Sequence, residues 1–105
     1  MICAEIFKSK ENYKGFKIFG HSGYSSQGSD IVCAAVSSVS NMTVNLIYEI
    51  FKIESSFKTG NDAELEFEIY RPCEISDKII EAFILQLEII FEEYSDFIKV
   101  SVTEV

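Results

Sequence analysis

Leu65, Phe67 and Ile69 alternate with Glu64, Glu66 and Glu68. That two-residue period marks a strand with one buried and one solvated face. The same alternation, less strictly kept, runs through residues 2–8 (ICAEIFK), 15–20 (GFKIFG), 53–58 and 97–104 (FIKVSVTE). The polar stretch SKENYK suits a hairpin loop between the first two strands, and TGND is a strong turn signal between the next two. Two other stretches switch to helical spacing. In the first, Ile31, Ala35, Val39, Met42 and Leu46 recur to about Phe51. Ser29 or Asp30 stands at its start as an N-cap type, and an acid there complements the helix dipole. Its small residues Ala34, Ala35, Ser37 and Ser38 allow close packing on a sheet or a second helix. The second helix carries Ile79, Ile80, Phe83, Leu87, Ile90 and Phe91, with Ser76 as its N-cap type. The expected order is ββαββαβ. This is an α+β domain with two helices packed on a largely antiparallel five-stranded sheet.

Between the second strand and the first helix lies GHSGYSSQGSD, residues 20–30. It holds three of the five glycines and four serines. It has no apolar face to bury and reads as a mobile loop.

The chain has 105 residues, 48% of them apolar and 25% charged. It is expected to form one domain over residues 1–105, large enough to bury a modest core without staples. The net charge of -8 argues against tracking nucleic-acid phosphates. Charge is also uneven: residues 1–24 carry four Lys against two Glu, and residues 54–105 carry thirteen acids against four bases. That pattern suits a solvated face or a surface that attracts a basic partner. No basic leader precedes a long apolar stretch, and Glu81, Gln86 and Glu88 interrupt IIEAFILQLEIIF. A cytoplasmic protein without a membrane partner is therefore expected.

Three widely spaced cysteines and one histidine support neither a disulfide framework nor a metal site, and no cofactor is implied. Cys3 falls in a strand and Cys73 follows Pro72. Neither has a neighbouring histidine or a helix N-terminal place, and both read as structural. Cys33 differs. It falls at the end of the first turn of the first helix, twelve residues after the sole histidine, His21. Free N–H groups and the positive end of the helix dipole favour a thiolate over a thiol. A thiolate is the nucleophile for acyl transfer. A histidine in a glycine-rich loop can fold back, take the thiol proton and later return it to a leaving amine. The loop glycines can bring N–H donors to an oxyanion. Asp30 shares the helix face of Cys33 and is placed either to orient His21 or to complement the dipole. The bland reading stands beside this one: a cysteine in IVCAAV packs well as a small hydrophobe, and a loop histidine is commonly a surface residue.

Gly20-His21-Ser22-Gly23-Tyr24, a spacer with Gly28, and Asp30-Ile31-Val32-Cys33-Ala34-Ala35-Val36-Ser37 together resemble the ribosomal-processing cysteine proteases, small bacterial hydrolases. The resemblance implies a cysteine endopeptidase that removes a short N-terminal extension from a large-subunit ribosomal protein precursor, cutting after an aromatic-containing segment. It also implies a homodimer and a loop, with Gly23, Tyr24 and Gly28, that moves over bound substrate. It places the nucleophile on Cys33 and the general base on His21, with Gly20, Asp30 and Ser37 in supporting roles. Ser22 and Ser25-Ser26 stand where many relatives carry other residues, within the loop and outside the catalytic pair. Two other classes compete: a non-catalytic ribosome-associated interaction module, and a thiol redox sensor built on Cys33.

Overall fold

The computed structural model describes residues 1–20, 27–60 and 64–105, with the backbone alone for residues 27–30. The elements are β1 (Ile2–Lys8), β2 (Tyr13–Phe19), α1 (Gln27–Val44), a π-helical continuation over Asn45–Ile50, β3 (Ser55–Thr59), β4 (Leu65–Ile69), α2 (Glu74–Tyr94) and β5 (Ile98–Glu104). The ββαββαβ order stands. The strands form one sheet in the order β3-β4-β2-β1-β5. Every neighbouring pair is antiparallel except β1 with β5, which is parallel. Both helices cover one face, and alternation decides which side chains they meet. Ile2, Ala4 and Ile6, then Phe16 and Ile18, then Leu65, Phe67 and Ile69 are buried on that face. Glu66 and Glu68 are exposed opposite. Phe16 is the centre of the core: its ring lies 4.5 Å from that of Phe83 on α2 and 5.4 Å from that of Phe67.

Three details depart from the sequence reading. First, the expected stripe of α1 is displaced. Ile31 and Met42 are 50% and 59% exposed, while Val32, Val36, Val44 and Ile47 form the buried row. The helix is apolar on two sides, so two stripes of equal spacing compete, and the sheet takes the one a residue further on. Ala35, Val39 and Leu46 instead line a groove of about 660 Å3 between α1 and α2. On α2, Phe91 is likewise exposed, whereas Ile80, Phe83, Leu87 and Ile90 are buried.

Second, the N-cap of α2 is Cys73, not Ser76. Ser76 is fully buried three residues later. Its Oγ accepts the Cys73 N–H at 2.9 Å and donates to the Cys73 carbonyl at 3.0 Å. This is the reach-back of a capping box, so the serine signal was real but belonged to the third helical position. Cys73 therefore does occupy a helix N-terminal place.

Third, α1 begins at Gln27 rather than at Ser29 or Asp30. Its first turn holds no apolar residue, so hydrophobic periodicity does not register it. Gly28 and Asp30 thus belong to the helix and not to the loop.

The run Ile31–Ile50 is long and apolar enough to cross a membrane by length and composition. Here its apolar residues Val32, Val36, Val44 and Ile47 are spent on the core.

Candidate functional site

β2 ends at Phe19, and the next residue, Gly20, turns the chain with a φ of 83°. That is the left-handed region where a side chain is strained. A Cβ at Gly20 would also stand 2.5 Å from the Met1 carbonyl oxygen. Glycine is therefore required twice over where the chain leaves the sheet toward His21. His21, Ser22, Gly23, Tyr24, Ser25 and Ser26 lie outside the described residues, as does the side chain of Asp30. In the TGND turn, so do Asn61 and Asp62.

Cys33 stands six residues beyond Gln27, in the second turn of α1. The expected place at the end of the first turn is corrected by the earlier helix start. The free N–H groups of a helix belong to its first turn. Cys33 is half-buried and packs against the core beside fully buried Val32. Ser37 follows four residues later, on the same helix face, and is also half-buried. The fold thus brings Cys33 and Ser37 together on one face of α1. It sets Gly20 at the end of the strand whose Ile18 joins Ser37 in lining a cleft.

All three cysteines are free thiols. Cys3, on β1, and Cys73, at the start of α2, are half-buried. Among the described residues no three of His, Cys, Asp and Glu gather as a metal site.

The cleft, of about 150 Å3, lies where α1 crosses the end of the sheet. It adds Ser40, Asn41, Thr59 and Glu64 to the residues singled out from sequence. One signal for it was available. Ser40 continues the row Val32–Val36 at four-residue spacing, and it is a polar residue on the core-facing side.

The model of the family described as cysteine protease Prp matches residues 1–99. The ribosomal processing cysteine protease Prp of Bacillus subtilis (strain 168) is 31% identical over 108 residues, covering 96% of both chains. The crystal structure of SMU.848 from Streptococcus mutans superposes with a TM-score of 0.86 at 26% identity, covering all of this chain and 96% of the other. The essential ribosomal processing protease Prp from S. aureus, in complex with a covalently linked product peptide, has the same fold. Its TM-score is 0.86 at 23% identity, with 98% of this chain and all of the other covered.

Proposed function

The chain belongs to the cysteine protease Prp family, and from that premise we propose that it removes the N-terminal extension of a large-subunit ribosomal protein precursor, with Cys33 as nucleophile and His21 as general acid and base. The observation that carries the assignment is the placing of Cys33. It is the one cysteine on the helix that follows the segment holding the only histidine, and that segment is launched by a glycine the backbone requires. A protease family displaces the two non-protease readings, the interaction module and the redox sensor.

In the proposed reaction His21 takes the proton of the Cys33 thiol, and Sγ attacks the scissile carbonyl carbon. The tetrahedral adduct collapses, the C–N bond breaks, and His21 gives its proton to the departing amine. A water then loses a proton to His21 and attacks the thioester. The N-terminal fragment leaves as an acid, and the Cys33 thiolate recovers the proton. Backbone N–H groups of the glycine-rich segment before α1 stabilise the oxyanion. Asp30 orients His21, and the segment with Gly23 and Tyr24 closes over the peptide.

The test is incubation of the full chain with an N-terminally extended ribosomal protein, read by mass spectrometry, beside Cys33→Ala. The expected result is loss of the extension with the parent alone. Equal products from both, or none from the parent, overturn the assignment. The same reading places the protein in the cytoplasm, where its substrate is made. It also includes a second copy of the chain as partner. Ile31, Met42, Leu85 and Ile89 are 50–61% exposed on the two helices, apolar side chains that a second copy could cover. A monomeric mass in analytical ultracentrifugation overturns the dimer.

A further inference from the structure

The sheet ends on one side at β5, whose neighbour is β1 alone. Two hydrogen bonds fix which way its backbone faces. The Ile2 N–H donates to the Phe97 carbonyl and the Val105 N–H to the Lys8 carbonyl, each at 2.9 Å. Bonding in a parallel pair alternates by residue, so Phe97, Lys99, Ser101, Thr103 and Val105 turn their backbone groups to β1. The N–H and C=O groups of Val100, Val102 and Glu104 face outward, with no backbone partner among the described residues. Native edge strands are commonly blunted by short length, proline, bulges or lysine. β5 runs for seven residues and pairs with β1 without a register shift. It holds no proline, and its one lysine, Lys99, is near its start.

A cleft of about 190 Å3 runs beside this edge, between it and α2. Ile84 and Phe91 line it from the helix, Val100 and Val102 from the strand, and Glu88 stands among them. Phe91 and Val102 are 43% and 49% exposed. Glu88 and, one turn on, Glu92 are exposed too. Neither carboxylate has an ion-pair partner among the described residues. An apolar slot with a carboxylate at its mouth fits the aliphatic stem of an arginine or lysine, with the charged head on the carboxylate. Charge also decides between a foreign strand and a second copy. On α2 six acids stand against one base, Lys78. A second copy paired edge to edge brings another six acids toward these and is repelled, whereas a basic strand is drawn in.

We propose that the β5 edge is a docking site, apart from the catalytic centre, for an extended basic segment of the protein substrate. The segment adds a strand to the open side of the sheet. Every second side chain then lies on the helix side. There an arginine or lysine stem fills the cleft while its head bonds Glu88. Cys3 pairs with both Phe19 and Lys99, which puts the start of β5 at the sheet end where Gly20 leaves β2. From Gly20 to Val102 is two strand spacings across and about three residues along, roughly 14 Å. An extended chain covers that in about five residues. A peptide with about four residues on either side of the cut therefore stops short of the edge, and the full precursor reaches it.

The inference rests on the protease reading above for its partner, and two measurements separate them. The first is binding, read by fluorescence anisotropy on the full chain carrying Cys33→Ala. The probe is a labelled Arg-Val-Arg-Val-Arg-Val-Arg peptide. It is expected to bind, and to bind about tenfold more weakly when its alternate amides are N-methylated, since these cannot pair with a strand edge. Glu88→Lys should weaken it about tenfold, the worth of one charge-assisted bond. Val102→Pro removes one outward N–H and no bond to β1, and should act likewise. If Val102→Pro melts lower than the parent, Glu88→Lys, at an exposed position, carries the test. The second measurement is cleavage by the chain with Cys33 intact. Both substitutions should lower the ratio of kcat/KM for the precursor to that for the cut-site peptide several-fold, through the KM of the precursor. Peptide binding unmoved by N-methylation and by both substitutions reports attraction to a general acidic field and overturns the docking edge. A dimer that Val102→Pro dissociates while peptide binding persists makes a second copy the occupant and overturns it as well. No cleavage of either substrate by the parent overturns the protease reading, and with it the precursor as partner, whatever the peptide does.

Discussion

Gly20 and Met1 are in contact through their backbones: a Cβ on Gly20 would come within 2.5 Å of the Met1 carbonyl oxygen. The contact joins the start of β1 to the point where the chain leaves β2 for His21. Gly20→Ala must either shift that strand end or abandon the φ of 83°. Strain of this kind costs about 1–3 kcal/mol. The expected result is a clear loss of stability by urea titration. Activity should fall further than the fraction unfolded explains, because the displaced turn carries the proposed general base. Parent-like melting with parent-like kcat/KM counts against both parts of this account.

Asp77, in the first turn of α2, holds the β1–β2 hairpin. One carboxylate oxygen accepts the Asn12 Nδ2–H at 2.7 Å, and the other accepts the Tyr13 N–H at 2.9 Å. A carboxylate near a helix N-terminus is also favoured by the dipole. Asp77→Ala removes two charge-assisted bonds and should cost about 2–3 kcal/mol. Asn12→Ala removes one and should cost less. Chemical denaturation of the two single variants and the double checks this. The double should cost no more than Asp77→Ala by itself, since the Asn12 bond is already gone there.

Much of this architecture was legible because burial is one-sided. In β4 every second residue is a glutamate, and only one register hides Leu65, Phe67 and Ile69. The helices were legible in kind and less so in detail. In α1 the stripe through Ala35 is apolar throughout while the one through Val36 carries Ser40, so periodicity favours the first and only the sheet selects the second. The first turn, Gln27 to Asp30, is polar and silent to periodicity, which is why Cys33 falls one turn deeper than the spacing implied. Around the site, the sequence singles out Gly20, His21, Cys33 and Ser37 by motif, and of these His21 lies outside the described residues. The cleft beyond Ser37 was not legible, because Thr59 and Glu64 come from distant strand ends that only sheet pairing sets beside α1.

Lys52 ends the long helix with a φ of 52°, the left-handed turn that usually falls to glycine. Around it the Ile53 N–H donates to the Ile47 carbonyl at 2.9 Å, and the Phe51 N–H to the Leu46 carbonyl at 2.9 Å. The backbone is thus committed to a conformation that a lysine adopts at a cost. Lys52→Gly relieves that cost of about 1–2 kcal/mol and gives back part of it as extra freedom in the unfolded chain. A net gain of about 0.5 kcal/mol is expected, seen as a melting point raised by a few degrees. An unchanged or lower melting point shows that the Lys52 side chain contributes contacts that outweigh the strain.

Six of the thirteen acids of residues 54–105 lie on α2. Glu81, Glu88, Glu92, Glu93 and Asp96 are all exposed. A ribosomal protein precursor is basic, so the proposed substrate meets a field that draws it in. Exposed charges act over a Debye length, which shrinks from about 10 Å at 0.1 M salt to about 3 Å at 1 M. Cleavage of the full precursor should therefore slow several-fold over that range, through KM rather than kcat, since steering governs encounter and not chemistry. A short neutral peptide carrying the same cut site should lose much less. Replacing Glu92 and Glu93 together by lysine should flatten the salt dependence for the precursor and leave the neutral peptide's kcat/KM near the parent value. A precursor rate indifferent to ionic strength removes the electrostatic role of this surface while leaving the Cys33 assignment intact.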